Sequence, residues 1–334
     1  MERRKVQVTG GSTYTVSIPK DWARENHVEA GDEIGFHPDS GSLLLTPITD
    51  ADPRAGSLDI SDLEGESLVR AVMTMYVSGF DVIELTAERI TSAQRSLVRD
   101  ATQGLVGLEV VEETGGTVLI RDLLDSSELS IQSAVRRMRL IALSMLEDAV
   151  VAVRENDDEV AEDVIERDDD VDRLWYVVSR IFRRTLRSPA MAQEIGISRE
   201  DCFDFHTSAR QLERIADHAV KISRVAIELD GGIPEPVVDS ISSLHEESAE
   251  AIATAMDAIF ESDAEDATRL ANTVRETVTD IDGRARAIDD YLRQLEPEQA
   301  RHVGLIVDSL SRSGDYGGNI AEAALQNAAP TPSP

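Results

Sequence analysis

The sequence predicts a multidomain, mainly helical protein: a small β unit, a small α/β layer, then two antiparallel three-helix bundle repeats. Three observations carry this. Apolar residues come in short alternating runs up to about residue 50, but recur at helical spacing from Ile131 onward. Turn-forming residues at 49–56, Thr-Asp-Ala-Asp-Pro-Arg-Ala-Gly, interrupt the pattern as a linker would. Two late segments also align: Leu212 with Leu310, Arg214 with Arg312, Asp217 with Asp315 and Ile222 with Ile320, as expected of a duplication.

Length and charge narrow the class. A chain of 334 residues has material for two or three cores. Its 33 Lys and Arg face 64 Asp and Glu, a formal charge of −31 resembling the surfaces of proteins from salt-loving organisms. Such an excess repels nucleic acid, so any DNA contact must come from a local basic patch. The single cysteine, Cys202, forms no internal disulfide and reads as a small core residue, which suits a reducing cytoplasm. No run approaches the roughly 20 apolar residues of a membrane helix, so the expected location is cytoplasmic.

In residues 1–50, Val6 to Val8, Tyr14 to Ile18, Glu33 to His37 and Ser42 to Thr46 read as strands, and a short helix begins at Pro19. Turns are expected at Gly10-Gly11, Gly31-Asp32 and Asp39-Ser40-Gly41. So little material buries too little alone, and dimerisation is the natural remedy. Arg3, Arg4, Lys5, Lys20 and Arg24 outnumber Glu2 and Asp21 here, a local surplus suited to DNA phosphates. The bland alternative is a module that only dimerises. Ser12-Thr13-Tyr14-Thr15-Val16-Ser17-Ile18-Pro19-Lys20, then Val28-Glu29-Ala30-Gly31-Asp32-Glu33-Ile34, then Leu43-Leu44-Leu45-Thr46-Pro47, resembles the SpoVT/AbrB family. That resemblance implies a swapped-hairpin homodimer that binds DNA.

Residues 57–124 read as β-α-β-α-β-β, a small α/β domain. Its strands are expected at Ser57 to Ile60, Asp81 to Thr86, Leu108 to Val111 and Thr117 to Arg121, and its helices at Leu63 to Val77 and Ser92 to Leu105. It holds no phosphate loop, nucleophile–base pair or metal cluster, so its expected role is spacer or dimerisation domain, with small-molecule sensing the sharper alternative.

Six long helices follow, at about 128–154, 157–187, 198–229, 235–261, 263–295 and 298–327. Asp125 and Glu128 form an expected capping pair before the first. Breaks fall at Glu155-Asn156-Asp157, Ser188-Pro189, Asp230-Gly231-Gly232, Glu261-Ser262-Asp263 and Glu296-Pro297, dividing the helices into repeats at 128–229 and 234–327. The last residues, Ala-Ala-Pro-Thr-Pro-Ser-Pro, read as a tail.

The chemistry concentrates in the repeats. Asp168 with Asp172, and Glu213 with Asp217, each put two carboxylates one turn apart on a helix face. Four such groups on adjacent helices would supply oxygen ligands to a hard or borderline cation, with His206 adding nitrogen from the same stripe. In the second repeat Asp315 remains, but Ser311 and Val278 replace two acids. The competing reading pairs the acids with Arg210, Arg214 and Arg224 in interhelical salt bridges that need no ion. His218 reads as a surface or interhelix hydrogen-bonding residue. Arg183, Arg184 and Arg187 read as helix-end cations, and Trp175 and Tyr176 as core or interface.

Glu213-Arg214-Ile215-Ala216-Asp217-His218, its eroded copy Ser311-Arg312-Ser313-Gly314-Asp315, and the preceding acidic helices resemble the PhoU family. That resemblance implies regulation of phosphate uptake, a phosphate ABC transporter ATPase or signalling protein as partner, and in some members bound iron, zinc or other metal clusters. The combined expectation is a DNA-binding transcriptional regulator of phosphate uptake, not an enzyme. A PhoU-type adaptor that does not bind DNA is the alternative. A carboxylate metalloenzyme ranks last, because such sites use paired Glu-x-x-His motifs that this chain lacks.

Overall fold

The computed structural model describes residues 3–39, 42–48, 53–123, 130–229 and 232–330, apart from the side chains of Asp39 and Asp289. The expected turn at Ser40-Gly41, linker residues 49–52, the capping pair Asp125 and Glu128, the break at Asp230-Gly231 and the last four residues lie outside them. The chain divides into two compact units, residues 1–53 and 54–334.

The first unit contains two antiparallel hairpins and one helix. Strands β1 (Gln7–Thr9) and β2 (Thr13–Thr15) pair around Gly10 and Gly11, whose φ of 63° and 84° favour glycine. After them come α1 (Lys20–Glu25), β3 (Ile34–Asp39) and β4 (Ser42–Pro47), the last two paired. The strand expected through Ile18 ends at Thr15, which pairs with Gln7 at the start of β1. Residues 16–18 have no partner strand among the described residues of this copy. His37 is the only buried side chain among the described residues of this unit, its Nε2 2.7 Å from the Thr46 hydroxyl.

The second unit opens with the α/β layer: β5 (Ala55–Asp59), α2 (Gly65–Val77), β6 (Val82–Thr86), α3 (Ser92–Gln103), β7 (Leu108–Glu113) and β8 (Thr117–Asp122). The sheet order is β5-β6-β8-β7, with β5 parallel to β6 and the other pairs antiparallel. Leu68, Val72 and Tyr76 of α2 close its core over Ile83, Leu85, Val118 and Ile120. Thr91 and Gln94 form a capping box on α3, and the Gln94 amide also donates to the Ile60 and Leu63 carbonyls at 3.0 and 3.1 Å.

The helical half comprises α4 (Ile131–Glu155), α5 (Asp158–Arg187), α6 (Pro189–Glu194), α7 (Arg199–Glu228), α8 (Glu235–Phe260), α9 (Ala264–Leu292) and α10 (Pro297–Asn327). The N-terminal side-chain caps of α4, α5, α7 and α9 are Ser130, Asp157, Ser198 and Asp263. Helix α6 was not expected. Ser188-Pro189, read as a break, both ends α5 and caps the next turn, with Ser188 accepting from the Met191 amide and proline in the first turn. Helices α4, α5 and α7 form one triplet and α8, α9 and α10 the other, joined mainly through α7 and α10. One continuous core runs through both triplets. In α10, a Cβ on Gly317 would sit 3.1 Å from the Ile252 backbone nitrogen, so glycine permits the close approach to α8.

A buried arginine joins the α/β layer to the helices. Arg180 of α5 is 1% exposed and donates to the Tyr76 and Phe80 carbonyls at 2.6 and 2.9 Å, to Asp81 at 3.1 Å and to Asp122 at 2.6 Å. Arg184 lies 3.5 Å from Asp81, and Arg187 donates to the Ser78 carbonyl. The reading of Arg184 and Arg187 as helix-end cations is therefore incomplete: both sit in the last turn of α5, and both also hold the α/β layer. Arg180→Met should destabilise the full chain by about 3–5 kcal/mol in denaturant titration, because two carboxylates lose their buried partner. Arg269→Ala, which breaks only the exposed pair with Asp266, should cost less than about 1 kcal/mol.

Candidate functional site

The sequence-predicted acids meet where α5 packs on α7. On α7, Leu212, Ile215, Ala216, Ala219 and Ile222 are fully buried, so Glu213 and Asp217 fall on the flank of that apolar stripe. Asp168 and Asp172 reach the same flank from α5. Burial, then the charges of Asp172 and Asp217, push the Asp168 carboxyl up to about 6. Burial and Asp217 raise Asp172, against a hydrogen bond from the Tyr176 hydroxyl at 3.4 Å. Glu213 rises to about 7, chiefly through burial, with Arg210 opposing and Asp217 and Asp172 reinforcing. The charges of Asp172 and Asp217 thus act across the two helices, on Glu213 and on Asp168.

Their arginine partners differ from expectation. Arg210 bonds Glu213 at 2.6 Å within α7 rather than between helices, and its guanidinium lies 5.4 Å from the Trp175 ring. Arg214 turns toward α10, 5.7 Å from the Tyr316 ring. Arg224 acts on Asp168 only through its field. The second carboxylate oxygen of Glu213 is buried without a hydrogen-bond partner. His206 packs between Trp175 and Phe182, with ring centroids 4.9 and 4.3 Å away, and burial lowers it to about 4. The expected imidazole ligand is thus held in an aromatic stack.

In the second repeat Asp315 is raised by burial and by Asp282 of α9, with Arg312 3.7 Å away. His218, expected at the surface or between helices, is buried 3.5 Å from the Tyr316 hydroxyl of α10 and lowered to about 4 by burial. Among the described residues, no group of three or more His, Cys, Asp or Glu side chains is gathered closely enough to hold a metal ion. In the first unit, Arg3, Arg4, Lys5, Lys20 and Arg24 are all exposed, and Arg24 stands 3.9 Å from Asp21. Motif spacing does not single out Arg180, although its setting in Val177-Val178-Ser179-Arg180-Ile181-Phe182 is a readable sign of burial.

Fold and site together define a class: a duplicated three-helix bundle that presents carboxylates from the last two long helices of each repeat. A model for the PhoU domain matches residues 135–226 and 241–324, one match per repeat and over half of the chain, so the chain belongs to the PhoU family. Residues 7–52 match the model described as Antidote-toxin recognition MazE, bacterial antitoxin, so the first unit is MazE/AbrB-like. A relative from Xylella fastidiosa (strain Temecula1), named Phosphate-specific transport system accessory protein PhoU homolog, is 30% identical over 196 residues, covering 57% of this chain and 78% of its own length. The Phosphate-specific transport system accessory protein PhoU of Escherichia coli (strain K12) is 25% identical over 199 residues, covering 58% and 80%. The crystal structure of PhoU from Pseudomonas aeruginosa superposes with a TM-score of 0.51 at 24% identity, covering 58% of this chain and 93% of that one, a likeness of fold. No helix among the described residues is long and apolar enough to cross a membrane.

The raised acids carry a pH signature. Asp168 and Glu213 hold protons more tightly folded than unfolded, so the stability they contribute is present at low pH and lost as pH rises through about 6 and 7. His206 and His218 act oppositely: with folded values near 4, their contribution is present above 6.5 and lost as pH falls toward 4. Comparing Glu213→Gln with the parent isolates the acid. Denaturant midpoints should shift in favour of the variant as pH rises from 4 to 8, with little change in the difference if Glu213 titrates normally.

Proposed function

We propose that this chain is a DNA-binding regulator of phosphate uptake whose first unit works as a homodimer and whose helical half responds to a partner and to a bound cation. The carrying observation is the exposure of the first unit's apolar side chains: Val6 62%, Val8 62%, Tyr14 75%, Phe36 61% and Leu43 53%. Covering a side chain of this size is worth about 1.5–3 kcal/mol, and a second copy offers the matching surface. In such a dimer Arg3, Arg4, Lys5, Lys20 and Arg24 supply cations to DNA phosphates, and the MazE-type match supports that use.

The PhoU matches lie in the helical half, and the relatives that match 57–58% of the chain are named as phosphate-transport accessory proteins. That supports contact between this half and a phosphate transporter ATPase or signalling protein. The adaptor reading, without DNA binding, draws on the same alignment and on the net charge of −31.

The cation would be held by Asp168, Asp172, Glu213 and Asp217, with Asp315 in the second repeat. An all-oxygen donor set suits a hard or borderline divalent cation, with iron and zinc the metals that the family resemblance implies, and the mutual repulsion and unpartnered Glu213 oxygen support the fit. Since the side chains stand apart, they must close on an ion to enclose it. A bound cation would offset their repulsion; the chemistry assigned to it is regulatory rather than catalytic.

Two measurements test this reading. Binding to the chain's own promoter and to phosphate-transport promoters should weaken with Lys20→Ala or Arg4→Ala, each lowering the salt slope by about 1. Weak binding, equal on every fragment and indifferent to both substitutions, would sink the DNA reading and leave the adaptor. Separately, metal content of protein purified without chelator should fall with Asp217→Ala; unchanged content would remove the first-repeat site.

A further inference from the structure

The α/β layer and α5 border an open cleft of about 390 Å³, a volume within the range of small-molecule sites, at a junction between substructures where such sites concentrate. Its two sides differ in chemistry. Val69 and Met73 of α2, with Ala101 and Leu105, form an apolar wall. Asp100 of α3 and Asp169 and Asp172 of α5 supply carboxylates, and the lining includes the C-terminal end of α3 through Gly104, where the helix dipole is negative. Arg173, the one cation among the described lining residues, is engaged by Asp170 at 3.5 Å.

We propose that this cleft binds a linear aliphatic polyamine, its methylenes on the Val69–Met73 wall and its ammonium groups on Asp100, Asp169 and Asp172. The lining selects this class over a bare metal: it sets three carboxylates beside an apolar wall, and a polyamine spreads its charges along an aliphatic chain. An aliphatic chain also uses the apolar wall, which a hydrated ion would leave unfilled. Asp172 lies in this cleft and on the acidic face of α5 and α7, so occupancy here is linked to that face. The site requires neither DNA binding nor metal binding by the chain.

Calorimetric titration of the full chain with spermidine, at constant ionic strength, tests it. One site per chain is expected, weakened at least tenfold by Met73→Trp, which fills the cleft, and severalfold by Asp100→Asn. Magnesium at equal charge should displace spermidine poorly. If Met73→Trp perturbs folding by circular dichroism, the exposed Asp100→Asn carries the comparison. No binding would overturn the proposal. So would many weak sites that both variants share, the pattern of counterions on an acidic surface, or equal displacement by magnesium.

Discussion

The second unit depends on a charge that has no access to water. Burying a guanidinium costs several kcal/mol unless carboxylates and carbonyls replace its hydration. Around Arg180 that replacement comes from three places: the end of α2 with the turn after it, Asp81 before β6, and Asp122 at the end of β8. The charge is compensated only when all three are in place, so the α/β layer and α5 are held in one arrangement. Asp81 also accepts the Arg54 amide at 3.0 Å, tying the first residue of this unit to the same junction.

Because α-helical faces repeat about every four residues, Asp168, Asp172, Tyr176 and Arg180 lie along one side of α5. Arg180 fastens the α/β layer, Tyr176 packs against that layer's core while donating to Asp172, and the two aspartates face α7. A single helical stripe is thus joint, cleft wall and acidic site. A change at the acids has a short physical route to the α/β layer through Tyr176.

The duplication survives in packing better than in charge. Both triplets share one core, while Val278 and Ser311 stand where the first repeat has Asp168 and Glu213. The seam between α7 and α10 is polar as well as apolar: Asn319 donates to Gln211 at 3.3 Å, Asn327 to Asp204 at 2.8 Å, and His218 meets Tyr316. Such paired groups hold the register of two long helices, because a one-turn slip would take these partners from the buried Gln211, Asp204 and His218.

Local pattern was legible because it is written within a few residues. Short β-rich runs and the turn at Gly115-Gly116 marked the strands of the α/β layer, helical spacing marked the six long helices, and the four-residue offset of Glu213 and Asp217 put both on one flank. Motif order in residues 12–47 pointed to a DNA-binding type of module, and the aligned segments around Asp217 and Asp315 to a duplicated bundle. What the sequence alone could not decide were long-range partnerships. His206 shares its helical stripe with the acids, yet tertiary packing turned it into the stack of Trp175 and Phe182. Arg210 chose Glu213 on its own helix, Arg184 and Arg187 found the α/β layer, and Arg180 became the joint. Periodicity specifies which face of an element a residue occupies; only the folded chain brings that face against groups up to a hundred or so residues away, and burial there decides whether a charge becomes a ligand, a salt bridge or a fastening.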